Sequence, residues 1–373
     1  MATDTTSANL NTELPEYPDL VLANFPKKEG ETVQLIDGRQ FGFMEYNITH
    51  TVQKTALRDN REHIILLIPG LPGSRFYCHP HVLAEEKNKE LNKTSAKNNS
   101  NNRSDHDCDN ESLDLIKIRL FVLERPGIGL STFAKRTFLD FANDVKEFCV
   151  IKRIMECKVI AYSAGGPYGL ALAHSLGNSE EGEQDALIKP LVTKAAIISG
   201  ISPHNTPHAT DRMPWKHKLA WWLTKHSPKL LSLLAWFEAK MAIRDPVGAM
   251  RGGFNDGPQS DRDIYENMPG VERMCIESML EQYSRGQLST ECYEYSLWGK
   301  PWGFRLEDIG KSGKGESVKC KVWHGEEDIG TTAVMGRYLV DHISGCESRF
   351  VKEKGHMLYF EIWEEVIDWL MEE

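Results

Sequence analysis

Four apolar runs stand out in the first two hundred residues: HIILLI at 63–68, IRLFVL at 118–123, KVIAY at 158–162 and KAAIIS at 194–199. They lack the alternation of a strand with one wet face, so they predict strands covered by helices on both sides. Between the second and third, a helical pattern begins at Thr137, with Phe138, Phe141, Val145, Phe148 and Cys149 recurring at three- and four-residue spacing. Upstream, VQLID and QFGFMEY flank Asp37-Gly38-Arg39, a hairpin signal because Asp-Gly tolerates the positive φ of a tight turn. Near the end, VKCKVWH at 318–324 and SRFVKE at 348–353 bracket a helix near 332–344, and LYFEIWEEVIDWL closes the chain as an amphipathic helix. The alternation predicts an α/β chain built on a mostly parallel sheet flanked by helices.

Three stretches break that rhythm. Residues 1–31 are polar with three prolines before Lys27, and read as a mobile tail. Residues 85–113, rich in Asn, Ser and Lys, hold too few apolar side chains to repay the entropy of ordering and read as a disordered insertion. Residues 205–304 contain no strand-like run, are helical in pattern and carry six of the nine tryptophans. They read as a helical cap, leaving 32–204 and 305–373 as two parts of one core.

Composition narrows the function classes. Hydrophobic residues make up 40% and charged residues 26% of the 373, enough for a sizeable core. The net charge of −10 would repel a polyanion, which argues against nucleic acid as a partner. No apolar run approaches the roughly 20 residues of a membrane helix, and the opening MATDTTSANLNTELPEY lacks the basic and apolar order of a signal peptide, so a soluble, cytoplasmic protein is expected. The eight cysteines show no Cys-x-x-Cys pair and read as reduced thiols. No histidine pair at helical ligand spacing flanks a carboxylate, so no metal is expected, and no cofactor. GKSGKGES at 310–317 is not a phosphate loop, because Arg305 stands where that pattern needs its first Gly.

The strongest chemical signal is KVIAYSAGGPYGLALAHSL from Lys158. A buried strand runs into Ser163, two glycines follow closely and a helix begins. A serine on such a turn is held in a strained conformation with its hydroxyl presented, and small neighbours let strand and helix approach. This is a Gly-x-Ser-x-Gly pattern with Ala161 in the first Gly position; the plainer reading is a serine N-cap. A serine nucleophile needs a histidine base and a carboxylate that orients the base. Asp328 in VWHGEEDIG and His356 in VKEKGHMLYF follow two late strands, at the sheet edge where ligands bind. Glu326 and Glu327 are rival acids, and His324 is a rival base at a strand end ahead of the acid, better suited to a structural hydrogen bond. An oxyanion would be received by the N–H of Ala164, next to the nucleophile, and by that of Leu71 in IPGLPGSRF, since Pro72 has no N–H.

The segments DGRQFGFMEYN, PGLPGSR, LERPGIGLST, AYSAGGPYGLA, KPWGFRLEDI, WHGEED, MGRYLV and GHMLYFE resemble, in order and spacing, the α/β-hydrolase fold-1 superfamily. They look most like members carrying DGRxLxxxEYG, HGxPGSR, DRPGxGxS, SGGGPYALA, PWGF and WHGExD. The departures are Pro69 for the usual His, Ala161 for Gly, and the short insertion at 310–317. The resemblance implies an α/β-hydrolase fold with an inserted helical cap and a Ser163, Asp328, His356 triad. A serine at this position implies acyl transfer to water through an acyl-enzyme, with ester, lipid or peptide substrates open; the preferred reading is an esterase acting on a small-molecule or lipid-like substrate with an apolar acyl group. The alternatives are a ligand-binding receptor or pseudo-enzyme on the same fold, kept open by Pro69, and a lyase or C–C hydrolase with the same triad.

From Arg212 to Arg244 the expected cap holds seven Lys or Arg against the single Glu238, interleaved with Trp215, Trp221, Trp222, Trp236 and Phe237. The preferred reading packs these aromatics inward, against the core and around an apolar pocket. The other reading is contact with a membrane surface.

Overall fold

The computed structural model describes residues 13–14, 17–21, 24–52, 62–85, 114–177, 191–285, 288–311 and 317–372. The expected disordered insertion at 85–113 lies outside them except for Glu85, as do residues 312–316 of the short insertion. A small hairpin, β1 (Glu13–Leu14) and β2 (Tyr17–Val21), precedes the main sheet. The sheet itself comprises β3 (Glu31–Gln34), β4 (Gln40–Val52), β5 (Glu62–Ile68), β6 (Asp114–Leu123), β7 (Glu156–Tyr162), β8 (Leu191–Ile198), β9 (Lys319–Gly325) and β10 (Glu347–Val351). Its order is β10-β9-β8-β7-β5-β6-β4-β3. Both pairings of β4 are antiparallel and all the others are parallel. The helices are α1 (Phe138–Lys152), α2 (Gly166–Leu176), α3 (Trp215–His226), α4 (Pro228–Arg244), α5 (Pro246–Phe254), α6 (Gln259–Asn267), α7 (Val271–Ser284), α8 (Leu288–Trp298), α9 (Ala333–His342) and α10 (Trp363–Met371).

The unbroken apolar runs have a direct cause. Leu66 and Ile68 of β5 pack with Phe141 and Phe148 of α1 and Leu170 of α2, whereas Ile65 and Leu67 pack with Val366 and Leu370 of α10. Alternate side chains of one strand therefore enter two separate cores, so neither face can be polar. Helix α1 starts where its sequence says: Thr137 accepts from Asp140 N–H and Asp140 reaches back to Thr137 N–H, a reciprocal capping box. Between β3 and β4, Gly38 takes the turn at φ 85°.

One expectation is corrected. The closing helix begins only at Trp363; His356–Phe360 instead forms a tighter 3₁₀ turn that buries Met357, Leu358, Tyr359 and Phe360 in succession, which a helix of period 3.6 would not do. Within the stretch 1–31, Arg75 donates to the Glu29 carbonyl (2.6 Å) and the Lys27 carbonyl (3.1 Å). The same guanidinium pairs with Glu124 and with Glu281 of α7, each at 2.8 Å, and all three side chains are buried. Among the described residues, no helix is long and apolar enough to cross a membrane.

Candidate active site

The sheet delivers three side chains to its carboxyl edge. Strand β7 ends at Tyr162, and Ser163 turns the chain into α2 with φ 55°, a left-handed conformation that costs a non-glycine residue on the order of 1–3 kcal/mol. The residue at the N-cap of α2 is Gly165, so Ser163 does not serve as an ordinary helix cap. The turn needs small neighbours. A Cβ on Gly165 would lie 2.3 Å from the Ile68 carbonyl oxygen, and one on Gly70 would lie 2.9 Å from Ser163 Cβ.

His356 Nε2 lies 2.9 Å from Ser163 Oγ, and His356 Nδ1 lies 2.8 Å from Asp328 Oδ2. Asp328 is buried; its Oδ1 accepts the N–H groups of Gly330 (2.8 Å) and Thr331 (2.9 Å). Burial alone would raise the Asp328 pKa, yet the adjacent His356 and these donors hold it below the ordinary carboxylate value. For His356 burial opposes the charge, but Asp328, and then Asp261, outweigh it and raise the imidazole above its usual 6.5. The Thr331 hydroxyl lies 2.9 Å from Asp328 Oδ2 and 2.8 Å from the Ser199 carbonyl, a choice of acceptors for one hydrogen.

Of the rivals, His324 stands beside the candidate acid, its Nε2 3.6 Å from Asp328 Oδ2. His324 Nε2 sits 2.5 Å from the Thr331 carbonyl oxygen, is fully buried and has its pKa lowered by that burial. Glu326 pairs with Arg337 at 2.8 Å.

Asp261 of α6 was not singled out by the sequence. Its Oδ2 accepts the His356 N–H (2.8 Å) and its Oδ1 the Met357 N–H (2.9 Å), so one buried carboxylate fixes the backbone carrying the imidazole. Gly355 makes room for it, since a Cβ there would lie 2.4 Å from Asp261 Oδ2. Because the Asp261 charge favours the imidazolium, Asp261→Asn is expected to lower the His356 pKa. Activity requiring the neutral imidazole would then appear at lower pH than in the wild type, with a plateau reduced roughly ten- to a hundredfold by the loosened backbone. A pH–rate profile checks both; an unmoved acid limb would leave Asp261 only a structural part.

The turn after β5 is held from below. Arg125 donates to the carbonyls of Pro69 and, at 3.0 Å, of Gly70, and its Nε meets Glu294 of α8 at 2.6 Å. Tyr168 of α2 donates to the same Glu294 oxygen at 3.2 Å. Leu71 follows these anchored carbonyls, and Ala164 is buried beside Ser163. Among the described residues no group of three His, Cys, Asp or Glu side chains is arranged to hold a metal.

Ala161 has a partner in Gly169. A Cβ on Gly169 would fall 2.4 Å from Ala161 Cβ, so the methyl at 161 occupies the space that glycine leaves at 169. Gly169→Ala is therefore expected to cost about 1–3 kcal/mol by overpacking, and Ala161→Gly in the same chain to restore most of it. Thermal melts of the two single variants and the double variant measure the coupling.

A cavity of about 770 Å³ opens at the opposite edge, where the parallel strands begin, lined among others by His63, Lys158, Lys194 and Lys319. None of Ser163, Asp328 and His356 borders it, so its volume does not describe the site. Lys194 there donates to the carbonyls of Trp369 (2.6 Å) and Glu372 (2.5 Å), tying down the end of α10, and burial lowers its pKa to about 8.

No protein-family profile and no curated protein matches the sequence. Solved structures do share the fold. An epoxide hydrolase superposes with a TM-score of 0.55 at 14% identity, over 92% of this chain and 96% of its own. A hydrolase from Pseudomonas aeruginosa PA01 gives 0.53 at 14%, over 93% and 100%, and the enol-lactonase from Burkholderia xenovorans LB400 gives 0.53 at 15%, over 92% and 100%. The chain thus has the α/β-hydrolase fold, an eight-stranded, mostly parallel sheet between helices.

Proposed function

We propose that the protein is a serine hydrolase that cleaves an ester-type bond in a substrate with an apolar acyl group. One observation carries this reading: a buried carboxylate, an imidazole and a strained serine in a continuous relay, with steps of 2.8 and 2.9 Å. Ser163 Oγ attacks the carbonyl carbon and passes its proton to His356 Nε2. The N–H groups of Leu71 and Ala164 receive the negative charge on the carbonyl oxygen. His356 returns the proton to the departing alcohol, leaving an acyl group on Ser163. Water then repeats the sequence, giving up a proton to His356 and releasing the acid and the free serine. Asp328 holds Nδ1 as the donor throughout and stabilises the imidazolium. The anchored Pro69 and Gly70 carbonyls favour an active enzyme over a receptor, because they fix the turn in which the Leu71 N–H must point. The helices α3–α8 between β8 and β9 serve in this reading as the cap over the acyl pocket.

A fluorophosphonate probe is expected to label the native protein at Ser163, and p-nitrophenyl esters of graded chain length to be hydrolysed with a preference for longer acyl groups. The acid limb of that activity should have its midpoint above 6.5, since Asp328 raises His356. Saturable ester binding without labelling or turnover would refute the enzyme reading.

A further inference from the structure

The inserted helices turn part of their apolar surface outward. In α3, Trp215 is 70% exposed and Trp222 52% exposed, with Leu219 between them on the same face. In α4, Leu230, Leu233, Leu234, Phe237 and Met241 follow the i, i+3, i+4, i+7, i+11 spacing of one helical stripe and all are exposed, Phe237 at 54% and Met241 at 60%. A second side of α4 is buried, with Leu231, Ser232, Ala235 and Ala242. The inward packing expected for the tryptophans of this segment holds for Trp221, which packs against the core, and fails for Trp215 and Trp222. Soluble monomers rarely leave contiguous apolar patches of this kind without a partner.

We propose that the α3–α4 hairpin docks the protein onto an anionic lipid bilayer. Charge selects this occupant. The segment 212–244 carries seven Lys or Arg against Glu238 alone, in a chain of net charge −10, and Lys216, Lys218, Lys225, Lys229 and Lys240 are exposed around the stripes. A second copy of the chain would bring like charges face to face across a two-fold interface, whereas phospholipid headgroups supply the opposite sign. Aromatic and leucine side chains would enter the headgroup and acyl boundary while the lysines stay at the phosphates.

Co-sedimentation of the full chain with sucrose-loaded vesicles tests this without any substrate. Partitioning onto phosphatidylcholine mixed with phosphatidylserine should exceed that onto phosphatidylcholine alone on the order of tenfold, and fall as salt rises. Trp222→Glu with Phe237→Glu should lower binding to mixed vesicles roughly tenfold or more, and Lys218→Glu with Lys225→Glu and Lys229→Glu should abolish the preference for the anionic lipid. Brominated lipid should quench the tryptophan emission of the unaltered protein, a readout that needs no variant. Equal partitioning on both vesicles, absence of quenching, or a concentration-dependent dimer dissolved by Phe237→Glu would overturn the proposal, the last assigning the surface to a second copy.

Discussion

Ser163→Ala is expected to lower ester turnover roughly 10⁴- to 10⁶-fold and to abolish fluorophosphonate labelling, while the melting temperature changes little. At φ 55° the residue at 163 is strained, and alanine keeps that strain while losing one hydrogen bond to the half-buried imidazole, so the fold changes little in stability. Alanine fits without repacking, because it keeps the Cβ that serine already has there and loses only Oγ. The measurement is mass spectrometry of the labelled protein beside steady-state kinetics. Labelling that persists in the variant would move the nucleophile elsewhere.

Asp328→Asn should cost about 10⁴ in kcat with the fold intact. Its Oδ1 would still accept from Gly330 and Thr331, so the loop keeps its hydrogen bonds. The amide nitrogen, however, would face His356 Nδ1 in place of Oδ2 and donate to it. That forces the proton onto Nε2, the atom that must accept the Ser163 proton, and leaves any imidazolium unsupported. With the carboxylate gone the His356 pKa falls, so the residual activity should begin at lower pH than in the wild type. Glu326→Gln and Glu327→Gln should keep kcat within about twofold, as expected of surface changes that leave Asp328 in place. The opposite ranking would transfer the acid to one of those glutamates.

The sequence announces the parts of the site that lie at strand ends. KVIAY runs into Ser163, and the loops carrying Asp328 and His356 follow apolar runs, so chain order and a parallel sheet suffice to gather them. Asp261 was hidden because it acts on backbone N–H groups 95 residues away, and QSDRDIYEN reads only as a polar helix until α6 is laid against Gly355. The 3₁₀ turn at His356–Phe360 was hidden for a different reason, since five mostly apolar residues fit several local geometries and the packing of four consecutive side chains chooses among them. The direction of the tryptophans was equally illegible. Helix α4 carries apolar residues on two sides, so periodicity gives it two candidate inner sides and only the packing of Leu231 and Ala235 selects one.

The helices between β8 and β9 also supply countercharges to the core: Glu281 faces Arg75, Glu294 faces Arg125, and Asp261 faces the His356 backbone. Such an insert is not an exchangeable module. A chimera that grafted in the corresponding helices of another hydrolase, matched for length and hydrophobicity but lacking those three acids, would leave the buried Arg125 without its carboxylate, at a cost of about 3–5 kcal/mol, whereas Arg75 would keep Glu124. Recombination that trades lids between related chains, in the laboratory or in evolution, would therefore succeed here only when the incoming helices carry counterparts of Glu294 and Asp261, or when Arg125 is replaced and the His356 backbone finds another acceptor.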